Sequence, residues 1–365
     1  MAININHKTD TITATTGTLN LPNFAGGGGL THFVESEGTA SPNNTRPVDA
    51  LTATDASYSN LDVALAAKGT GATLAQVPDG TATGGNKRGE YATDFQKRRW
   101  SGTEAATGDY ASILGGRYNS ASGFASSIIG GQYNISSGMV SLSYGDVCTA
   151  SNFASVAIGY GNYVSGIYST CVGGASSQIT ADKAVVIGGE AHLANSEASA
   201  VVGGVYGTTR GIVGYCVNPA SANPLGSYNY GTSQTATLVL GGQTTGSTSV
   251  LLTSNTSSPS SSNQLTVPLN SLYSVRGDVI AGVTNGGDAA RWSFEVVVKC
   301  GSTLGSITIM SPAQVNKTHG DTNTVNWYVG LGLNSTLNCL EVYAYGESAT
   351  PIRWVCRLDT VEMTF

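Results

Sequence analysis

Five acidic side chains lie in the middle of the chain. They are of interest because enzymes that hydrolyse glycans use a pair of carboxyl groups. The five residues are Asp109, Asp146, Asp182, Glu190 and Glu197. A glycoside hydrolase needs two carboxyl groups flanking one bond, about 5–9.5 Å apart, and Glu190 and Glu197 are close enough in sequence to meet. The alternative is that these acids only solubilise an outer surface. We favour the alternative, and we predict no catalytic residues and no enzymatic activity.

Aromatic side chains in the last third of the chain offer a second chemistry, because exposed rings stack on sugars. The tryptophans of this region fall in segments of alternating polarity, which favours packing in a core. They are Trp292, Trp327 and Trp354. Tyr343 and Tyr345 instead share a face with Glu341. We therefore predict that Tyr343 and Tyr345 bind a receptor.

A polar segment before these tyrosines holds two more candidate binding residues. Residues 316–323 (NKTHGDTN) bring His319 and Asp321 together among polar neighbours. Imidazole and carboxylate groups suit contact with a receptor or a cation. The alternative is an ordinary solvated hairpin loop.

Other catalytic and metal-binding patterns do not occur in the sequence. The four histidines fit no Ser-His-Asp context, and the Gly-Gly pairs belong to a repeat and not to a phosphate-binding loop. The six cysteines form no C-x-x-C pair, so we expect no zinc site. We predict no metal and no cofactor. Unpaired thiols are typical of a protein that folds in a reducing cytosol.

Composition narrows the class of protein. The chain has 365 residues, of which 11% are charged and 48 are glycine, and this favours β structure with many turns. A net charge of −6 gives no reason to bind nucleic acid. No apolar stretch approaches the ~18 residues of a membrane span. The first twenty residues are polar and lack the apolar region of a signal peptide.

The acidic residues lie within a short repeat, in which a glycine follows an apolar residue. These marker glycines are Gly115, Gly130, Gly145, Gly159, Gly173, Gly188 and Gly203. Their spacing of 14 or 15 residues is too short for two helices and fits two strands joined by tight turns. Such units must stack on one another to bury their apolar faces. We predict a parallel β-roll over residues 108–216, with Cys171 in its core and each marker glycine where a Cβ would clash.

The repeat resembles a known family. Residues 153–166 (FASVAIGYGNYVSG) look like the head repeat of trimeric autotransporter adhesins of the YadA type, whose motif is roughly Ser-Val-Ala-Ile-Gly followed by Ser-x-Ala-x-Gly. The likeness covers about residues 108–214. It implies a left-handed parallel β-roll and three chains packed side by side, and it is not specific for a ligand. Other coils depart from the motif because Cys or bulkier residues replace Ala157.

The N-terminal third has weaker patterns. Two short strands fit residues 1–23, with a turn near His7–Asp10, and a short helix fits Leu61–Lys68. A basic cluster at residues 87–99 is either a patch that binds acid or phosphate or a collar that seals the roll, with Trp100 over the first coil. We favour the collar, because the terminal coils of a solenoid need caps.

The C-terminal third has strand patterns. On residues 291–299, apolar side chains from Trp292 to Val298 alternate with polar ones. Five more such segments are Ser271–Val283, Ser306–Met310, Asn326–Leu333, Leu340–Tyr345 and Ile352–Asp359. Strands at this spacing predict an antiparallel β-sandwich over residues 265–365. We predict a Ser/Thr/Gly-rich connector over 217–264, in which the apolar run Thr237–Leu240 is either a strand or a stray coil, and a loop over 312–323.

Two segments resemble tailed-phage proteins. The opening residues and residues 81–96 (TATGGNKRGEYATDFQ) are similar to segments that precede such repeats in phage fibre proteins, and the last hundred residues resemble the C-terminal β-domain of phage tail and fibre proteins. The resemblance implies that residues 1–25 attach to other virion tail or baseplate proteins. Residues 26–107 would then be an irregular linker or cap, and the sandwich would bind a host surface glycan or protein.

The sequence thus predicts an all-β homotrimer of the virion tail, made in the host cytoplasm, that attaches to host cells. Three alternatives stay open: a tailspike glycan depolymerase, a capsid-attached head fibre and a bacterial surface adhesin. The absence of an export signal and a membrane anchor in the sequence disfavours the adhesin.

Overall fold

The computed structural model describes part of the chain. It gives the backbone of residues 3–6, 11–14, 33–38 and 48–53, and then residues 65–219, 223, 225–226, 229–284, 286–310 and 313–365. The chain divides into two compact units, Met1–Ala66 and Ala67–Phe365.

The first unit contains two antiparallel strand pairs. These are β1 (Ile3–Asn6) with β2 (Thr11–Ala14), and β3 (Phe33–Gly38) with β4 (Val48–Ala53). The two strands predicted within residues 1–23 are therefore confirmed, while the turn at His7–Asp10 lies outside the described residues. Of the helix predicted at Leu61–Lys68, residues 61–64 also lie outside them. Residues 65–68 are not helical, and Leu65 is 80% exposed, so this segment buries no apolar face.

The second unit begins with a parallel β-roll of about eight coils of about 15 residues. Most coils give one strand to each of two ladders. The first ladder contains β5 (Thr73–Leu74), β6 (Thr93–Asp94), β7 (Ser112–Ile113), β9 (Ser127–Gln132), β11 (Leu142–Asp146), β13 (Val156–Tyr160), β15 (Thr170–Ala175), β17 (Val185–Ile187), β19 (Ala200–Val202) and β20 (Cys216–Pro219). The second ladder contains β8 (Ser120–Ala121), β10 (Ile135–Ser136), β12 (Thr149–Ala150), β14 (Tyr163–Val164), β16 (Gln178–Ile179) and β18 (Leu193–Ala194).

The strand register follows the sequence repeat. The residue three positions before each marker glycine pairs with its counterpart in the next coil, from Ser112 to Ala200. The predicted coil of strand, glycine bend, strand and turn is therefore confirmed. The first ladder also starts earlier than the repeat, because β5 and β6 join it before residue 108.

Glycine pairs explain why the spacing is sometimes 15 residues and sometimes 14. Between β9 and β11 the register shifts between Ser143 and Gly145, so the coil with two glycines carries one extra residue as a β-bulge. The predicted clash at the marker holds for Gly145 and Gly159, where a Cβ would lie 1.9 and 2.6 Å from a carbonyl oxygen of the next coil. It is wrong for the markers that are followed by a second glycine, where a Cβ would meet nothing closer than 3.8 Å: Gly115, Gly130, Gly173, Gly188 and Gly203. A Cβ on the second glycine of such a pair, Gly131, would lie 1.8 Å from the carbonyl oxygen of Gly145. The second glycine is the residue that faces the backbone of the next coil.

The core of the roll takes one inward side chain from each ladder in each coil, and a large residue is usually matched with a small one. The matched pairs include Ile113 with Ala121, Ile128 with Ser136, Ala157 with Val164, Cys171 with Ile179, and Val186 with Ala194, all fully buried. The narrow interior thus accommodates bulkier residues at the Ala157 position. Cys171 lies in the core as predicted, and its burial raises the pKa of the thiol to about 12.

A column of buried side chains, polar except for the thiol of Cys148, runs along one corner of the roll. It contains Gln96, Asn119, Asn134, Cys148, Asn162, Ser177 and His192. The Asn134 amide group donates to the carbonyl oxygens of Gly130 (3.0 Å) and Gly145 (2.8 Å), and its oxygen accepts from the N–H of Cys148 (3.0 Å). The column thereby satisfies backbone groups that the glycine bends leave unpaired in the interior.

The C-terminal part is a sandwich of two antiparallel sheets. The first sheet contains β21 (Ser233–Thr244), β24 (Ser271–Val283), β25 (Ala289–Cys300), β26 (Thr308–Ile309), β27 (Gln314–Gly320) and β30 (Ile352–Thr364). The second contains β22 (Val250–Leu251), β23 (Leu265–Thr266), β28 (Tyr328–Asn334) and β29 (Cys339–Tyr345), and a 3₁₀ helix spans Thr322–Thr324. Trp292, Trp327 and Trp354 are at most 3% exposed between the sheets, which confirms their predicted place in the core.

Two predicted boundaries are wrong. The connector predicted over 217–264 contains β21, which pairs with β30 along its whole length. The loop predicted over 312–323 contains β27, which pairs with β25. β27 is polar and mostly exposed, so it has no apolar alternation that would mark a strand in the sequence.

The roll and the sandwich share one sheet, because β20 pairs in parallel with β19 and antiparallel with β21. A buried charge joins them at this point. The Glu362 carboxylate accepts from the guanidinium group of Arg210 (2.8 Å) and the amide of Gln234 (2.8 Å), and also from the Tyr215 hydroxyl. Burial and the Glu362 charge raise the pKa of Tyr215 well above its ordinary value, so Tyr215 remains a protonated donor.

Candidate functional site

Three tyrosines meet on the outer face of the second sheet. Tyr343 and Tyr345 lie on β29, and Tyr328 on β28 is directly opposite Tyr345 in the register. The ring centroids are 5.8 Å apart for Tyr343 and Tyr345, 6.0 Å for Tyr328 and Tyr345, and 6.4 Å for Tyr328 and Tyr343. We call these residues the tyrosine cluster. Sequence analysis missed Tyr328, although antiparallel pairing of the two predicted strands would have placed it there.

Glycines on β28 make room for the cluster. A Cβ on Gly330 would lie 2.3 Å from two ring carbons of Tyr343, so this ring covers the backbone of β28 where no side chain stands. Gly332 is next to Glu341 in the same way, at 3.3 Å from one carboxylate oxygen. The Tyr343 ring is therefore held flat against the sheet, while Tyr328 (52% exposed) and Tyr345 (37% exposed) present ring surface to solvent.

A groove of about 700 Å³ borders the cluster. It is lined by Ser247, Asn326, Tyr328, Tyr345, Gly346, Glu347 and Ser348. Its polar groups are hydroxyls, one amide and one carboxylate, and the described lining contains no lysine or arginine. Partial burial, with the neighbouring Tyr328 and Tyr345, raises the pKa of Tyr343, so its hydroxyl stays neutral at physiological pH.

His319 and Asp321 lie elsewhere on the sandwich. His319 is on β27 and lines a different groove, of about 560 Å³, with Ile280, Arg353 and other residues of the first sheet. The Asp321 carboxylate accepts from the backbone N–H of Ala289 (2.8 Å) and so ties the end of β27 to β25. The structure therefore does not bring these two residues together with the tyrosine cluster.

The acidic residues of the roll do not form a pair across a groove. Glu190 lies at the corner where it bridges to Ala175 and Val205 of the adjacent coils. Glu197 lies beyond β18, at the other corner, where it forms an exposed ion pair with Lys183. The surface interpretation of Glu197 is consistent with this ion pair.

The basic cluster of residues 87–99 is partly buried in the first coils. Arg88 and Arg99 both contact the carboxylate of Asp94, at 2.7 and 2.9 Å, and all three side chains are at most 1% exposed. Because Asp94 already neutralises Arg88 and Arg99 in the interior, the triad disfavours an anion site at these two arginines. Of the basic residues in the solvated collar that was predicted, only three are exposed: Lys87, Lys97 and Arg98. Trp100 does not cover the first coil as predicted: it is 71% exposed, and its ring is nearly perpendicular to that of Tyr118 at a centroid distance of 5.7 Å.

The roll itself exposes two apolar stripes. The first consists of the residue before each marker glycine on the outer face of the first ladder, and is 41–55% exposed at six of its positions. These six are Leu114, Ile129, Tyr144, Val172, Ile187 and Val202. The second stripe consists of residues in the turns that precede the first-ladder strands. It includes Tyr110, Phe124, Met139 and Tyr168, which are 48–58% exposed.

Comparison with known proteins adds little. No family model matches the sequence, and no curated protein matches it. Among solved structures, the crystal structure of the Acinetobacter phage vB_ApiP_P1 tailspike protein aligns with 76% of this chain and 55% of its own, at 8% identity and a TM-score of 0.19. This chain thus spans about half the length of that protein. A TM-score this low does not show a common fold.

Within the described residues, no helix has the length and apolarity needed to cross a membrane.

Proposed function

We propose that the protein is a homotrimeric tail fibre of a tailed phage that attaches to host cells through its C-terminal sandwich. The observation that supports this best is the first apolar stripe, in which one apolar side chain per coil faces solvent along the roll. Monomeric proteins rarely expose apolar surface in one continuous band. Copies of the same chain are the partner that supplies a matching surface of equal length.

The two stripes together are compatible with a ring. A heterologous contact that packs the first stripe of one chain against the second stripe of the next buries both, and it generates a ring when its rotation closes. The ring size of three comes from the resemblance of residues 108–214 to the trimeric head repeat.

The sheet that carries the first stripe continues from the roll into the sandwich. Val201 pairs with Val217 on β20, and the exposed positions Asn218, Thr235 and Val361 then follow one another across β20, β21 and β30, with Val361 62% exposed. The same chain–chain contact would therefore run from the roll onto the first sheet of the sandwich. Three sandwiches held on a stiff roll would bind a surface with avidity even if each binds weakly.

Sedimentation equilibrium of the full chain tests this proposal. We expect a mass three times the 37.2 kDa of one chain. The double variant Ile129→Lys, Val172→Lys should lower the mass, because it places charges in the first stripe. The matched control Gln178→Lys, exposed on the second ladder, should keep the trimer. A stable wild-type monomer at micromolar concentration would refute the proposal.

A further inference from the structure

We propose that the tyrosine cluster and its groove bind a neutral saccharide, with Tyr328 and Tyr345 stacking on a sugar ring and Glu347 accepting its hydroxyls. The inference rests on the proposed function, because it names the class of ligand that the sandwich would recognise.

Ring geometry is the first argument. The rings of the cluster meet at tilted or perpendicular angles of 43–87° and do not form a flat stack. The face of an aromatic ring is electron-rich and attracts the C–H groups on one face of a pyranose. Because Gly330 lets the Tyr343 ring lie against the strand, Tyr328 and Tyr345 are the rings that line the groove, and they lie opposite each other with centroids 6.0 Å apart.

Polar lining is the second argument. Binding sites for small ligands combine apolar or aromatic walls with a few polar groups that fix orientation. Here Ser247, Asn326 and Ser348 offer hydroxyl and amide groups, and Glu347 offers a carboxylate. A sugar presents a C–H face and a rim of hydroxyls, which matches this arrangement of rings beside donors and acceptors.

Charge decides between neutral and acidic sugars. The described lining holds Glu347 and no cation, and Glu341 stands beside Gly332 on the same sheet face. A uronic or sialic acid would bring its carboxylate next to these acids without a compensating cation, and like charges in contact reject a ligand. The site should therefore prefer neutral hexoses or N-acetylhexosamines.

The site stays open in the proposed trimer. The trimer contact lies on the outer face of the first sheet, whereas the tyrosine cluster lies on the outer face of the second. In a sandwich these two faces point in opposite directions. A bound glycan would thus meet the protein on its solvent side.

The experiment uses the full chain and named probes: the neutral trisaccharides maltotriose and N,N′,N″-triacetylchitotriose, and the acidic trisaccharide trigalacturonate. Saturation-transfer difference NMR should detect transfer to the C–H protons of at least one neutral probe at about 10 mM, since weak sites have millimolar Kd. Trigalacturonate should bind more weakly.

Variants then assign the binding to the cluster. Tyr328→Ala and Tyr345→Ala should each weaken binding about tenfold, equal to about 1.4 kcal/mol. Tyr345→Phe keeps the ring and should bind nearly as the wild type does. Tyr160→Ala, an exposed tyrosine of the roll, is the matched control and should have no effect. Circular dichroism melting curves establish that each variant is folded.

Three results would overturn the inference: no transfer to either neutral probe, undiminished binding by Tyr345→Ala, or tighter binding of trigalacturonate. The first would favour a protein receptor. Failure here is distinguishable from failure of the proposed function, because the trimer is measured separately by sedimentation. If the protein is a trimer but binds none of the probes, the saccharide-binding inference is refuted while the proposed trimeric fibre still stands.

Discussion

Replacing Asn134 by alanine should destabilise the roll strongly, although it removes no apolar contact of note. The Asn134 side chain is fully buried, and its amide makes hydrogen bonds to three backbone groups of its own and the next coil. In Asn134→Ala, the carbonyl groups of Gly130 and Gly145 lose a donor, and the N–H of Cys148 loses its acceptor. The space left is too enclosed for bulk water to replace them.

The magnitude follows from these three bonds. A buried polar group left without a partner costs ~1–3 kcal/mol, with the N–H of Cys148 towards the upper end and the carbonyls towards the lower. The free energy of unfolding should therefore fall by about 3–5 kcal/mol. The free energy of unfolding of Asn134→Ser should lie between that of the wild type and that of Asn134→Ala. Ser177 occupies the same column and accepts from the N–H of His192, so serine can keep the acceptor but not both donors.

Urea denaturation followed by far-UV circular dichroism measures the shift, and hydrogen exchange of the Cys148 amide locates it. Gln132→Ala is the matched control: its amide bonds to Asp146 (2.9 Å) and Arg117 (2.7 Å) on the half-exposed surface of the same coil. Gln132→Ala should lower the free energy of unfolding by only about 0.5–1.5 kcal/mol, because water can reach this half-exposed position and replace its hydrogen bonds. Equal midpoints for Asn134→Ala and Gln132→Ala, with the Cys148 amide still protected, would refute the reasoning.

Two further predictions concern buried titratable groups. Burial lowers the pKa of His192 from 6.5 to about 4. The contribution of neutral His192 to the free energy of unfolding is therefore complete above pH 6.5, and the free energy should fall by up to ~1.4 kcal/mol per pH unit between pH 6.5 and 4. In His192→Asn that loss should disappear from melting curves recorded across this range, and an unchanged slope would contradict it. Glu362→Ala leaves the buried guanidinium of Arg210 without its carboxylate and should cost about 3–5 kcal/mol. Limited proteolysis should then cut near the junction of roll and sandwich, whereas resistance equal to wild type would argue against the role of this pair.

The parts of the fold that could be predicted from the sequence are those set by local periodicity. A period of 14–15 residues with a glycine after each apolar residue gave the roll and its register, because every coil repeats the same backbone path. The bounds of β24, Ser271–Val283, also match the predicted segment. Alternation on β25 identified its buried face from Trp292 to Val298 for the same reason.

Other features could not be predicted from the sequence, because no local pattern, or only a short one, indicates them. β27 is polar and is a strand only because β25 offers it an edge to pair with. Within a Ser/Thr-rich segment only the short apolar run Thr237–Leu240 indicated β21, and its full length of Ser233–Thr244 depends on pairing with β30 from more than a hundred residues away. Tyr343 and Tyr345 could be proposed as surface residues, whereas Tyr328 joins them only through the register of β28 and β29.

The sequence by itself therefore determined that the chain alternates and repeats, and so that it forms strands and stacked coils. Only the tertiary structure decided which residues lie opposite one another across each interior. In β13 the small Ala157 is fully buried while its larger neighbours Val156 and Ile158 are only partly buried, because Ala157 points into the coil, where it is matched with the fully buried Val164. Contacts between distant residues, such as Arg210 with Glu362, depend on how the coils and sheets close on one another. This closure depends on the packing of the whole chain, and no local sequence pattern indicates it.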